Sequence, residues 1–539
     1  MADLHELPAT DPLGDPDATE LLRDLVAIHP SNLEDPVRGR YEKPRYGAAI
    51  ARIERAARAW GLSTRRYDPV DDGPRGADLR GIPRPNLIVD LPGRGAERVL
   101  VLAHYDVVPV PEEQLGRWRS DPKVLTPRAD GRWYGRGAND DLGSGVVGTL
   151  LAMKRLAAGP PPPRSVRLLV CCDEETGGEG GIESLKARDA ARPAGDPDRF
   201  LVGDVALIPD GSPHAIPASS GVAFLDGSFS EPVPLAAALR FGQRLVAMHD
   251  AVARQRSRYP SADFPEFGAP APVLTGRATV TRIDLGPAEP SATAARVIAA
   301  HAETDAANFI PESVTLAIAG PAEARRALID HLGGGLPPGY RFQPATHTAL
   351  VAPPGADLVQ IVGEGGHGGS PHRARNPVPV ALDALASAVR AGLLDATARA
   401  PTTYAVDLRM IPEATQAEGL DPELASVRRW AATECPTAHL DAPPHRLRTG
   451  YALPLDDPSV GRLARLLAET LGAHGVFGEY GGTDASSLAG LKTPRGAPLP
   501  AIVFGSMDRP SRIHDAEESV DPRLLAGVVE TIRRFVLDA

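Results

Sequence analysis

Apolar residues recur at three- and four-residue intervals over residues 18–28 and 46–60, and the second run stops at Gly61, so two helices are predicted, the latter closed by a glycine. Short, nearly unbroken apolar runs follow at 85–91, 98–103, 166–170 and 205–208 and read as buried strands. Between the second and third of these, a helix is predicted over 144–157, whose Val147, Leu150, Leu151 and Leu156 can face a core. Strands and helices that alternate in this way build an α/β domain around a mostly parallel sheet. Ligand chemistry in such a sheet gathers beyond the carboxyl ends of the strands.

Near Val222 the pattern changes to an irregular stretch rich in Pro and Gly, including Phe267-Gly268-Ala269-Pro270-Ala271-Pro272. A strand at 313–318, a helix at 322–332, a strand at 358–362, a loop at 363–371, a helix at 378–394, a strand at 403–408 and a helix at 422–433 are predicted after it. The earlier pattern resumes with a helix at 460–471, then Gly481-Gly482-Thr483-Asp484, a strand at 501–504 and a final loop holding His514. The expected organisation is therefore a first domain in two parts, residues 1–221 and 442–539, with a second domain inserted at 222–441.

Composition narrows the function classes. The net charge is -11 over 539 residues, with no basic block able to neutralise a run of phosphates, so nucleic acid is not an expected partner. No apolar stretch is long enough to span a bilayer, and residues 1–17 are polar and acidic rather than signal-like, so a cytoplasmic protein without a membrane partner is expected. Three cysteines, two of them adjacent, make no disulfide framework and fit a reducing compartment as small buried thiols.

Candidate chemistry starts at Asp173-Glu174-Glu175-Thr176-Gly177-Gly178, where two neighbouring carboxylates emerge from a buried strand into a glycine-rich loop. Such a pair can divide labour, one carboxylate on a metal and the other moving protons. An acidic loop alone is ordinarily solvated surface. Its company changes the weighing: His104, Asp140, Asp210 and His514 also lie in loops, and with Glu175 they form a set able to hold two divalent ions if folding brings them together. Imidazole and carboxylate donors suit zinc, with cobalt or manganese as alternatives. Singly each has a plainer role: His104 as a strand-end residue, Asp140 and Asp141 as helix caps, Asp210 as part of a Pro-Asp-Gly turn.

The segments His104-Tyr105-Asp106-Val107-Val108-Pro109, Gly135-Arg136-Gly137-Ala138-Asn139-Asp140-Asp141, Asp173 to Gly178, His367 to Asn376, Asp407-Leu408-Arg409 and His514-Asp515-Ala516-Glu517-Glu518 resemble, in order, those of the M20 family of co-catalytic metallopeptidases and amidohydrolases. That family includes carboxypeptidases, dipeptidases, aminoacylases and desuccinylases. The resemblance implies a zinc-exopeptidase catalytic domain with an inserted α+β lid or dimerisation domain. It implies two metal ions, one on His104 and Asp210, the other on Glu175 and His514, with Asp140 bridging and Glu174 as general base. Asp106 would hydrogen-bond the second nitrogen of His104, Glu518 would support without ligating, and the Asp140–Asp141 peptide would be cis. From the lid, His367 and Asn376 would reach the substrate and Arg409 would grip its carboxylate.

The implied activity is hydrolysis of a peptide or amide bond in a small carboxylate-bearing substrate by a dipeptidase or carboxypeptidase, with an N-acyl-amino-acid deacylase or desuccinylase and a catalytically silent binding homologue as alternatives. The length of the inserted stretch resembles the extended-lid dipeptidases, which leaves a monomer or a homodimer open. Leu142, where many members have lysine, and Ala374 and Pro377 depart from the pattern and put substrate preference in doubt.

Overall fold

Val99, Val101 and Ala103 pack into one apolar cluster while Leu100 and Leu102, the alternate residues of the same strand, pack into another. Both faces of that strand are covered, which explains why its sequence is a continuous apolar run rather than an alternating one. The structure is a computed structural model and describes residues 11–31, 34–35, 40–41, 45–71, 82–110, 112–193, 195–261, 273–286, 295–302, 309–345, 350, 355–367, 374–416, 420–442, 447–472 and 475–538. Contacts divide the chain into one unit of Met1–Ser219, Tyr451–Glu479 and Thr483–Ala539 and another of Ser220–Gly450 and Tyr480–Gly482.

The first unit is built on a sheet whose path runs Tyr451–Ala452, Ala215–Ser219, Ala501–Val503, Val205–Ile208, Arg98–His104, Ser165–Cys171, Asn86–Leu91 and Ser63–Tyr67. The four strands from Ala501–Val503 to Ser165–Cys171 are mutually parallel. The neighbours on both sides are antiparallel. Helices Pro16–Ile28, Tyr46–Ala59, Gly148–Ala157, Pro458–Leu471 and Pro522–Leu537 bury their apolar faces in one cluster, and Ile182–Ala190 contributes to the other. The helix predicted from residue 144 opens instead as a π-turn at Leu142–Val147, because the Val146 amide bonds to the Asp141 carbonyl at 3.0 Å, five residues back.

The second unit is an antiparallel sheet, Arg341–Pro344, Asp357–Val362, Ser313–Ala319, Arg296–Ala302, Arg277–Leu285, Thr402–Met410, Gly221–Phe229 and Ala438–Asp441 in spatial order. Helices Leu235–Val252, Ala322–Gly334 and Pro377–Arg390 share its apolar cluster. The stretch expected to be irregular after Val222 is thus largely regular: it holds the strand Gly221–Phe229, an 18-residue helix and the strand Arg277–Leu285. Pro234 sits at the N-cap of that helix, where a missing amide hydrogen costs nothing, rather than breaking it. Residues 267–272 lie outside the described residues. No helix among the described residues is long and apolar enough to cross a membrane.

Candidate metal centre

Four adjacent parallel strands each lead into a loop that carries a candidate side chain. Register pairing aligns His104, the last residue of its strand, with Cys171, the last of the next. Beyond Cys171 the chain turns at Asp173, held at φ 61°, and Glu174 and Glu175 open a short helical turn. The Asp173 carboxylate that anchors this turn accepts from the Tyr46 hydroxyl at 3.0 Å and from Arg84 at 2.5 Å. Burial raises its pKa to about 6, against the pull of Arg84. Asp210 follows Val205–Ile208, and His514, at φ 64°, lies in the loop after Ala501–Val503. Asp140 comes from the turn ahead of the π-turn, and the Asp140–Asp141 peptide is cis.

These loops bring the five dispersed residues together. His104 Nε2 lies 3.2 Å from Asp140 Oδ1 and 3.8 Å from Asp210 Oδ2. His514 Nε2 lies 2.9 Å from Asp140 Oδ2 and 3.1 Å from Glu175 Oε2. Asp140 therefore turns one oxygen to each imidazole. Ligand atoms of His104, Asp140 and Glu175 fall within 4.8 Å of one another, as do those of His104, Asp141 and Asp210.

Charge balance decides what this cluster can hold. Burial alone would lower both imidazole pKa values, but the Asp106, Asp140 and Asp210 carboxylates around His104, and Glu175 and Asp140 around His514, raise them well above the ordinary range. Asp140 is buried too, yet hydrogen bonds from the two histidines hold its pKa low. Burial drives Asp210 up, helped by Asp141 and Asp140, and drives Glu175 up despite His514. Glu175 Oε1 is buried without a hydrogen-bond partner among the described residues. A cluster with more carboxylate than imidazole and an orphaned inward oxygen fits divalent cations by donor type and by charge.

The supporting atoms are specific. His104 Nδ1 donates to the Asp106 backbone carbonyl at 3.0 Å, which leaves Nε2 as the lone-pair nitrogen facing the carboxylates. The Asp106 carboxylate, expected to hold this nitrogen, has its Oδ1 3.6 Å from it and accepts the amides of Glu174 at 3.1 Å and Glu175 at 3.2 Å. Asp141 accepts the Gly145 amide at 2.7 Å and the His104 amide at 3.3 Å. A Cβ on Gly145 would fall 1.9 Å from that carboxylate, so only glycine fits. Asn139 donates to the Ser506 carbonyl and to Ser511 Oγ, pinning the loop that leads to His514. Leu142, the apolar departure, is fully buried in the core.

Three expected site residues lie in the second unit. His367 belongs to the two-residue strand Gly366–His367, paired opposite Phe309, and its side chain lies outside the described residues, as do residues 368–373. Asn376, expected at the substrate, caps Pro377–Arg390: its Oδ1 accepts the Val378 amide at 3.0 Å and its Nδ2 donates to the Val280 carbonyl at 2.8 Å. Arg409, expected as an open grip for a carboxylate, is 2 % exposed and already forked onto Asp407 at 2.5 and 2.8 Å, with Nη1 donating to the Tyr480 carbonyl at 2.8 Å. Its charge is balanced within its own unit. Asp407, two residues earlier on the same strand, takes up the guanidinium fork and accounts for the difference.

The model of the Peptidase family M20/M25/M40 matches residues 100–538. The chain belongs to this family. Among curated relatives, a cysteinylglycine-S-conjugate dipeptidase of Corynebacterium striatum is 34% identical over 156 residues, 29% of this chain and 30% of that one. Aminoacylase-1 of Sus scrofa is 33% identical over 152 residues, 27% of this chain and 33% of that one. The matched segments thus span about a third of these relatives. Human carnosine dipeptidase 1 has the same fold, with a TM-score of 0.57 and 13% identity over 97% of this chain and 95% of that one. An M20 family metallo-carboxypeptidase from Sulfolobus solfataricus follows at 0.55, with 11% identity over 97% and 99%. M20 membership accounts for the order in which the candidate segments occur along the sequence. It does not by itself identify the residues that hold Asp140 in place.

Proposed function

We propose that the chain is a two-metal hydrolase that cleaves the peptide or amide bond of a small carboxylate-bearing substrate, a dipeptide in the first instance. The observation that carries this reading is the placement of the two Asp140 oxygens, one toward His104 and one toward His514, with Glu174 and Glu175 adjacent on the next loop. His104 and Asp210 would hold one ion and Glu175 and His514 the other, Asp140 serving both. Zinc suits the donors, with cobalt or manganese as alternatives. Divalent cations so held supply Lewis acidity and positive charge where the scissile carbonyl binds.

The residues of the chain do the rest. Glu174, fixed through its amide to Asp106, takes the proton of the attacking water and returns it to the leaving nitrogen. Asp106 thereby positions the base through the backbone. His367 is assigned to the oxyanion, an interaction worth about 3 kcal/mol. Asn376 and Arg409 are assigned to shaping the second unit rather than to direct contact.

The decisive variant is Glu174→Gln. Metal content stays near wild type while turnover on a dipeptide panel collapses; retained turnover overturns the base assignment. Mixing Glu174→Gln with His367→Ala separates a shared dimeric site, which regains activity, from a monomer acting in cis, which does not. A second reading, hydrolysis of N-acyl amino acids, is favoured by the 33% identity to aminoacylase-1 and is separated by comparing kcat/KM on both substrate classes with a chelated control.

A further inference from the structure

The strand that ends in His104 begins at Arg98, and the strand that leads to Asp210 begins at Val205. At those beginnings lies a cavity of about 200 Å³ whose lining includes Glu97, Arg98, Arg164, Asp204, Ser459 and Arg462. With a rise of roughly 3.3 Å per residue along Arg98–His104, it is about 20 Å from the histidine cluster and shares none of its residues.

Both carboxylates of the cavity are engaged, Glu97 by one of the lining arginines and Asp204 by a backbone amide. Glu97 Oε2 accepts Arg164 Nε at 2.9 Å while Oε1 faces Arg495 at 3.5 Å. Asp204 Oδ2 accepts the backbone amide of Arg98 at 2.9 Å. Arg164 also donates to the carbonyls of Phe535 and Asp538. The guanidinium groups of Arg98 and Arg462, and the Ser459 hydroxyl, have no hydrogen-bond or ion-pair partner among the described residues, and Arg462 only lies over the Phe535 ring at 5.4 Å. Burial and the nearby Arg167 lower the pKa of Arg98 against the pull of Asp90 and Asp204, and burial and Arg164 lower that of Arg462 against Asp538 and Glu97. Three lining arginines against two lining carboxylates leave the recess with an excess of positive charge, and two of those guanidinium groups without a bonded partner, which favours anions.

We propose that this cavity binds a small multivalent oxyanion of the phosphate class, held by Arg98 and Arg462 with the Ser459 hydroxyl. Guanidinium forks match phosphate oxygens. The volume is below the roughly 300 Å³ at which pockets begin to enclose drug-sized ligands, so the occupant is a free phosphate or the head of a phosphate monoester.

Equilibrium dialysis of the metal-loaded, full-length protein against radiolabelled inorganic phosphate tests this, with glycerol phosphate as competitor to distinguish free ion from monoester. Binding persists in His104→Ala, weakens about tenfold or more in Arg98→Gln and in Arg462→Gln, and is abolished in Ser459→Asp. The serine variant changes only a half-buried position at the start of a helix and carries the test if either arginine variant fails to fold. Phosphate uptake that disappears in His104→Ala but survives Ser459→Asp places the ion at the histidine cluster and overturns the proposal. So does the absence of uptake at millimolar phosphate.

Discussion

Arg136 Nη1 and Glu518 Oε2 lie 2.6 Å apart, each side chain only 1% exposed, and the other Glu518 oxygen accepts the amides of Asn139 at 3.2 Å and Asp140 at 3.3 Å. One buried ion pair therefore sets the backbone from which the shared carboxylate projects. Removing either partner leaves a buried charge uncompensated, which costs about 3–5 kcal/mol. Glu518→Ala is expected to lower the urea midpoint by a corresponding amount and to reduce metal retention at the same time. A variant with wild-type stability and altered metal content alone would show that Glu518 acts on the ion rather than on the fold.

Asp106→Asn separates two jobs that one residue performs. Its backbone carbonyl, which fixes the His104 tautomer, survives the substitution, whereas one of the two carboxylate acceptors for the Glu174 and Glu175 amides becomes an amide donor. Metal affinity is expected to stay within a few-fold of wild type. Stability falls by about 1–3 kcal/mol and kcat falls with the displaced base. Metal affinity lost in parallel with kcat would mean that the side chain, not the carbonyl, holds His104.

Asn376→Ala removes a helix cap and the tie to Val280. Loss of the cap alone is worth about 1 kcal/mol. Denaturation should therefore show a decrease of that order or somewhat more, with KM little changed. A raised KM at unchanged stability would restore Asn376 to the substrate.

His29 supplies a pH dependence away from the metal cluster. It is 7% exposed at φ 50°, its Nδ1 has no partner among the described residues, and burial, with Lys123, Arg136 and Arg45 nearby, lowers its pKa from 6.5 to about 3. A folded-state pKa below the unfolded one means that the neutral ring's contribution is complete above pH 6.5 and is lost as pH falls toward 3. The slope is at most about 1.4 kcal/mol per pH unit. Urea titrations of wild type and His29→Asn, which tolerates the left-handed backbone, are expected to differ by a gap that changes across this window and is constant above it.

Much of the first unit was legible because its strands are covered on both faces. Continuous apolar runs such as Val99 to Ala103 leave no ambiguity about burial, and the strand ends and loops that follow them hold His104, Glu175 and Asp210. The second unit was harder to read. Its helix Leu235–Val252 carries apolar residues at helical spacing, but Pro232, Pro234 and the alternating, half-buried strands around it suggest loops when read locally. The helix Pro522–Leu537, which closes one core face, was not anticipated at all, although its Asp521-Pro522 start is a capping signature. Tyr46 and Arg84, which hold Asp173, carry no local signal because their partner lies in a distant part of the sequence. Asn376 and Arg409 show the opposite limit: a motif fixes where such residues occur, while their neighbours decide whether their polar atoms are still free.

The strand Ala501–Val503 sits between Val205–Ile208 and Ala215–Ser219, and the loop after it delivers His514. All of Ser220–Gly450 lies between those partners in the sequence. During synthesis the sheet therefore waits with an open slot in its middle until Ala501–Val503 has left the ribosome. A nascent chain can complete its second unit while the first still lacks both a central strand and one imidazole, so His104 and His514 come together only after residues 501–514 have been made.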